Sequence, residues 1–131
     1  MGYKFSPSSL KKLSECDSKL QDLFNEVLKT TDCIIVCGHR NQEDQDRAFQ
    51  KGFSKVEFPN SKHNSLPSMA VDVMPYPLDW NARDRMVEFS KVVFEYANHL
   101  GIKVRWGGDF NGDGNLKNDP FVDMPHWELV D

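Results

Sequence analysis

Four residues of this sequence could together activate water at a metal ion: His63, Asp72, Asp123 and His126. A catalytic zinc takes three protein ligands and keeps one position open. It also needs a carboxylate close by to receive the proton of the attacking water. His63 and Asp72 flank a turn-like Asn-Ser-Leu-Pro-Ser in "SKHNSLPSMAVDVMP", and Asp72 falls in an apolar run. His126 opens "HWELV", and Asp123 precedes it across Met124-Pro125, a turn short enough to fold a carboxylate back toward an imidazole's metal. Each residue taken singly has a plainer reading, since a histidine at a loop–strand junction is usually a hydrogen-bonded surface or core residue. Glu128, on the same strand face as His126, competes with Asp123 for the role of base.

Two further clusters have chemistry-bearing types. In "DFNGDGNLKND", Asp109, Asn111, Asp113 and Gly114 occupy positions 1, 3, 5 and 6 of an EF-hand-like calcium loop. The closing bidentate Glu is missing, for Pro120 stands there and Asp119 comes one place early. The alternative is a polar hairpin without an ion. Cys33, Cys37 and His39 would share a strand face and could form a second metal site, although small apolar residues on a buried strand explain the cysteines as well. His99 lies near a helix end, where the helix dipole favours an imidazole.

The elements that must position these groups follow from periodicity. "FSPSSLKKLSECDSKLQDLFNEVLKTTD" reads as one helix, capped by Ser6 with Pro7 at its first position. "CIIVCG" reads as a buried strand, and "NQEDQDRAFQKG" as a polar helix stopped by Gly52. Residues 53–67 read as loop. "MAVDVMP" alternates, with Ala70, Asp72 and Met74 on one face and Met69, Val71 and Val73 on the other. A second long helix begins near Asp79 or Asn81, either of which could cap it, and ends at Gly101. "IKVRW" and "HWELV" add two short strands. The expected fold class is α+β, two main helices against a small antiparallel sheet, in a single domain spanning residues 1–131.

With 39% apolar and 27% charged residues, the 131-residue composition is that of a soluble globular domain. A net charge of −4 gives no drive toward nucleic acid or anionic lipid. No run is long enough for a membrane span. "MGYKFSPSSL" lacks the apolar stretch of a signal peptide, and its Gly2 and Ser6 match the short, common myristoylation pattern. Three cysteines, an odd number, do not suggest a disulfide framework.

"SKHNSLPSMAVDVMPY", "RWGGDF" and "DMPHWEL" resemble the signature blocks of the zinc peptidases that cut peptidoglycan stem peptides. That family includes D-alanyl-D-alanine carboxypeptidases, D-Ala-D-Ala dipeptidases and phage L-alanyl-D-glutamate endopeptidases. Its order of motifs is Ser-x-His, Ala-x-Asp and Asp/Glu-x-x-His, with an upstream Gly-x-Arg matched by Gly38-His39-Arg40. The resemblance implies zinc held by His63, Asp72 and His126, with Asp123 as general base. Arg40 would steady the carbonyl or its oxyanion, and Ser61 would support the site. An ion pair with a neighbour in "NQEDQD" is the other reading of Arg40. The resemblance also implies the carboxypeptidase/hedgehog-like fold and a monomeric, phage-type endolysin without a separate wall-binding domain. Such a protein would be made in the host cytoplasm and would reach the wall after membrane permeabilisation or from a virion. Some phage members use calcium near the site, which adds to the reading of the 109–119 loop. A D-Ala-D-Ala carboxypeptidase or dipeptidase, or a metal-stabilised binding module without turnover, are the rival functions. One departure stands out: eight residues separate His63 from Asp72, where the family's usual gap is about six.

Overall fold

A computed structural model describes residues 3–52, 54, 56–79, 81–107 and 124–130. Within them lie four α-helices and a four-stranded sheet, an α+β arrangement. The helices are α1 (Pro7–Ser14), α2 (Ser18–Leu28), α3 (Gln42–Gln50) and α4 (Arg83–Leu100). The strands are β1 (Cys33–Cys37), β2 (Ala70–Pro75), β3 (Val104–Trp106) and β4 (His126–Leu129). The sheet is antiparallel throughout, in the order β1-β2-β4-β3. Among the described residues, no helix is long and apolar enough to cross a membrane.

Sequence chemistry accounts for most of the element ends. The Ser6 hydroxyl accepts from the Ser9 amide at 3.1 Å, capping α1, and Pro7 takes the first turn, where its missing N–H costs nothing. Gly52 and Gly101 close α3 and α4 in the left-handed region, with φ of 80° and 71°. The expected single first helix is two. Its break falls at Cys16, which makes a parallel bridge to Ser68, while the Asp17 side chain caps α2. Two backbone bonds fasten that bridge, Asp17 N–H to Ser68 O and Ser68 N–H to Glu15 O, both 2.8 Å. Neither Asp79 nor Asn81 caps α4. The Asp79 carboxylate is engaged by the Asn81 amide at 2.9 Å, and Ala82 occupies the cap position without a side-chain bond. Residues 53–67, expected as plain loop, include a 3-10 turn at Lys62–Asn64.

The core lies between the sheet and the helix pair α2/α4. Leu20, Leu23, Phe24 and Val27 meet Val71, Val73, Phe89, Val93 and Trp127 there. Burying each such side chain contributes about 1.5–3 kcal/mol. Trp127 packs edge-on to Phe24 and Phe94 and is stacked on Trp106 at 5.9 Å. Val71 and Val73 belong to this core, so the pleat turns Asp72 to the opposite face of β2. Gly38, just past β1, lets α1 come close: a Cβ there would collide with the Lys12 carbonyl oxygen.

Candidate metal centre

Three elements bring His63, Asp72 and His126 together. Asp72 and His126 are direct register partners on the antiparallel strands β2 and β4, so inter-strand pairing sets their spacing. His63 arrives on the 3-10 turn. The Ser61 hydroxyl accepts from the His63 amide at 3.2 Å, and the Ser61 amide donates to Asn64 Oδ1 at 3.0 Å, a reciprocal cap for that turn. The Arg40 amide then ties the turn to the end of β1 by donating to the His63 carbonyl at 2.8 Å.

The converging atoms form a nearly equilateral triangle. His63 Nε2 lies 3.2 Å from Asp72 Oδ1 and 3.2 Å from His126 Nδ1, and His126 Nδ1 lies 3.3 Å from Asp72 Oδ1. Tetrahedral ligands at about 2.0–2.1 Å from zinc stand about 3.3 Å apart, so the spacing suits such an ion. The tautomers agree. His63 Nδ1 lies 2.7 Å from the Gly38 carbonyl, which can only accept, so Nδ1 carries the proton and Nε2 presents its lone pair. His126 Nε2 donates to Glu128 Oε1 at 2.8 Å, which in the neutral ring puts the lone pair on Nδ1, facing His63 and Asp72. Glu128 is itself held by Lys62 at 3.3 Å and Arg105 at 3.8 Å. Its place on the outer nitrogen of His126 is that of a group that orients the ring.

All three residues are buried. With both rings neutral, the triangle has only electron-rich corners, and such a cluster needs a cation or a proton at its centre. Burial alone would push the His63 imidazole down, but the charge of Asp72 outweighs it and raises the pKa to about 10. For Asp72, burial works upward and is overcome by the charge of His63 and the hydrogen bonds of both rings, so its carboxyl lies well below the usual range. His126 is raised as well: burial opposes the charge, and its hydrogen bonds to Asp72 and Glu128 prevail. Glu128 is lowered, its burial being outweighed chiefly by the bond from His126. Among the described residues, this is the grouping of His, Cys, Asp or Glu that could hold a metal ion.

Arg40 reaches the other oxygen of Asp72. Its Nη2 lies 3.6 Å from Oδ2, and its Nη1 donates to Gln45 Oε1 at 2.9 Å. The ion pair expected with a neighbour in "NQEDQD" is not the one formed: the carboxylate partner of Arg40 is Asp72, and its contact in that run is a hydrogen bond to the neutral Gln45. Sequence reasoning missed Gln45 and the orienting part of Glu128. A Glu two residues past a histidine on a strand was the available signal for the latter. The second cluster does not assemble. Cys33 is buried in the core, its thiol pushed up to about 12 by burial and by Asp32, whereas His39 lies beyond the strand end. A register shift between Ile35 and Cys37 also breaks the shared face. All three cysteines are free thiols. Asp123 and the calcium candidates Asp109, Asn111 and Asp113 lie outside the described residues.

An α+β domain in which an aspartate and a histidine on the two central strands converge with a second histidine defines a metal-competent site. A family model, phage L-alanyl-D-glutamate peptidase, matches residues 1–130, and the chain belongs to that family. It is 30% identical over 138 residues to the L-alanyl-D-glutamate peptidase of Escherichia phage T5, an alignment covering 99% of this chain and 100% of that protein. The crystal structure of the L-Ala D-Glu endopeptidase ChiX of Serratia marcescens has the same fold, with a TM-score of 0.75 over 97% of this chain and 90% of that one, at 23% identity.

Proposed function

We propose that this protein is a zinc-dependent endopeptidase that hydrolyses the L-alanyl-D-glutamate bond of peptidoglycan stem peptide. The observation that carries the reading is the triangle of His63 Nε2, Asp72 Oδ1 and His126 Nδ1, with the outer nitrogen of each ring already committed. Membership of the phage family supports the choice of bond. Zinc at that point would supply Lewis acidity to the scissile carbonyl and to a water molecule. Three residues before His126, Asp123 is the base that takes the water's proton and delivers it to the departing amine. Cleavage leaves a new carboxylate on L-alanine and a new amino terminus on D-glutamate. Arg40, held by Asp72, Gln45 and Cys37, would turn its guanidinium charge toward the oxyanion as the carbonyl is attacked. Ser61 supports the site by shaping the His63 turn. The protein would act as a monomer on the bacterial wall, reaching it after membrane permeabilisation or from a virion.

The test is metal analysis paired with digestion of purified muropeptides by the wild type and Asp123→Ala. One zinc in both proteins, with new L-alanine C-termini and D-glutamate N-termini from the wild type alone, is the expected result. Release of terminal D-alanine instead would make it a carboxypeptidase, and bound zinc with no cleavage by either protein would make it a binding module.

A further inference from the structure

The helix α3, "QEDQDRAFQ", has one buried residue, and it is polar: Gln45, fully enclosed. Where an ordinary surface helix docks through an apolar stripe, α3 is fastened through a carboxamide. That carboxamide is saturated. Its Oε1 accepts from Arg40 Nη1 at 2.9 Å and from Asn64 Nδ2 at 3.3 Å, while its Nε2 donates to the Val56 carbonyl at 2.7 Å and the Ser54 hydroxyl at 2.9 Å. Two acceptor and two donor positions are all that a glutamine has. The orientation is also determined, since a flipped amide would face its N–H groups toward the guanidinium and its oxygen toward a carbonyl.

We infer that Gln45 is a positioning residue for the peptidase site, setting the guanidinium of Arg40 against Asp72 and tying both to the turn that carries His63. The Arg40 head group has three partners: Nη2 faces Asp72 Oδ2 at 3.6 Å and Cys37 Sγ at 3.8 Å, and Nη1 donates to Gln45 Oε1 at 2.9 Å. The two long contacts share one nitrogen and would let the planar group swing, whereas the shorter Gln45 bond on the other nitrogen fixes the plane. Asn64 closes the loop of contacts, because its Nδ2 donates both to Gln45 and to the Arg40 carbonyl at 3.0 Å, and its Oδ1 caps the His63 turn. A guanidinium is useful to an oxyanion only when held in place before the reaction, and losing that placement is felt in the chemical step. The inference rests on the proposed peptidase reading for its kinetic consequence, but the geometry of Arg40 can be read without turnover.

The experiment combines a double-mutant cycle with nitrogen-detected NMR of the Arg40 guanidinium in the zinc-loaded protein. Gln45→Leu removes all four bonds, and Gln45→Glu keeps an acceptor for Arg40 while losing both donors to the 54–56 segment. Each is made in the parent and in an Arg40→Ala background. Expected for Gln45→Leu is a kcat lower by about 10- to 100-fold with KM and zinc content little changed. In the Arg40→Ala background the same change should cost less than about threefold. Gln45→Glu should retain most of the parental kcat while unfolding at a lower temperature, and Gln45→Met, which removes the same four bonds with a side chain of similar length, takes the place of Gln45→Leu if that variant does not fold. The slow-rotating guanidinium signal of Arg40 should broaden or vanish in Gln45→Leu and persist in Gln45→Glu. Equal losses in both backgrounds, or an Arg40 signal indifferent to position 45, would overturn the inference and leave the peptidase reading standing. An inactive parent whose Arg40 signal still depends on Gln45 would do the reverse.

Discussion

Glu128 accepts the Nε2 proton of His126 at 2.8 Å from two residues along the same strand, and so fixes which nitrogen of that ring faces His63 and Asp72. A β-strand returns its side chains to one face every second residue, which makes this an inexpensive way to orient a ligand. The Glu128→Gln variant keeps the shape but weakens the acceptor and frees Lys62 and Arg105. Zinc affinity should fall about 10- to 100-fold, and competition with a chelator of known affinity measures it. An unchanged affinity would show that the ring is held by packing alone.

Gly38 serves the site from the other side, its carbonyl holding His63 Nδ1 while its missing Cβ admits the Lys12 carbonyl. A side chain there has to push α1 off β1. Gly38→Ala should therefore lower the unfolding free energy by about 1–3 kcal/mol and weaken zinc binding in the same variant. Chemical denaturation with and without zinc separates the two effects. Full stability in the chelated variant would mean that α1 can shift freely.

In the proposed centre, zinc and a proton would compete for the same atoms. The folded pKa of His63, about 10, is above its ordinary 6.5, so in the ion-free protein its stabilising contribution is complete below 6.5 and is lost as pH climbs through 10. The carboxyl of Asp72 is shifted the opposite way, and its contribution is present above its ordinary 3.8 and lost as pH falls. Since zinc must displace the His63 proton, its affinity should increase with pH across the window from 6.5 to 10. The Tm difference between zinc-loaded and chelated protein should accordingly widen from pH 6.5 to pH 9 at fixed free zinc. A constant gap over that range would contradict the protonated triangle.

The sequence pattern Asp109-x-Asn111-x-Asp113-Gly114, placed between "RWGG" and Asp123, gives a separate expectation for calcium. Calcium binding to residues 109–119 should raise the rate of muropeptide cleavage, so its selective removal with zinc retained should lower that rate severalfold. Cleavage insensitive to calcium would leave the loop as a polar hairpin.

Local chemistry explains which parts of the fold were legible. Ser6-Pro7, Gly52 and Gly101 announce helix ends because capping and left-handed turns are properties of a few neighbouring atoms. The alternation around Asp72 likewise survives, since the pleat imposes it. The break at Cys16 was hidden because its cause is Ser68, far along the chain. Asp79 failed as a cap because a nearer amide captured its carboxylate. Gln45 sits in a run of charged and polar residues that reads as a solvated face, and only the folded Arg40 and the 54–56 segment reveal it as an interior group. For the metal cluster, the residue types and their order were visible, whereas the orienting bonds from Gly38 and Glu128 depend on three-dimensional proximity.

The segment between His63 and Asp72 is closed at its base. The Met69 amide donates to the Lys62 carbonyl at 3.0 Å, and Ser68 is bound to Glu15 and Asp17, so the chain enters and leaves at fixed points. Outside that clasp, Leu66 is 70% exposed. The stretch 65–67 thus projects beyond the clasp, and its side-chain tie back to the His63 turn is the Ser65 hydroxyl, 3.4 Å from the Lys62 carbonyl. A longer or different segment here should therefore change what the protein touches beside the candidate metal centre while leaving His63, Asp72 and His126 where they are.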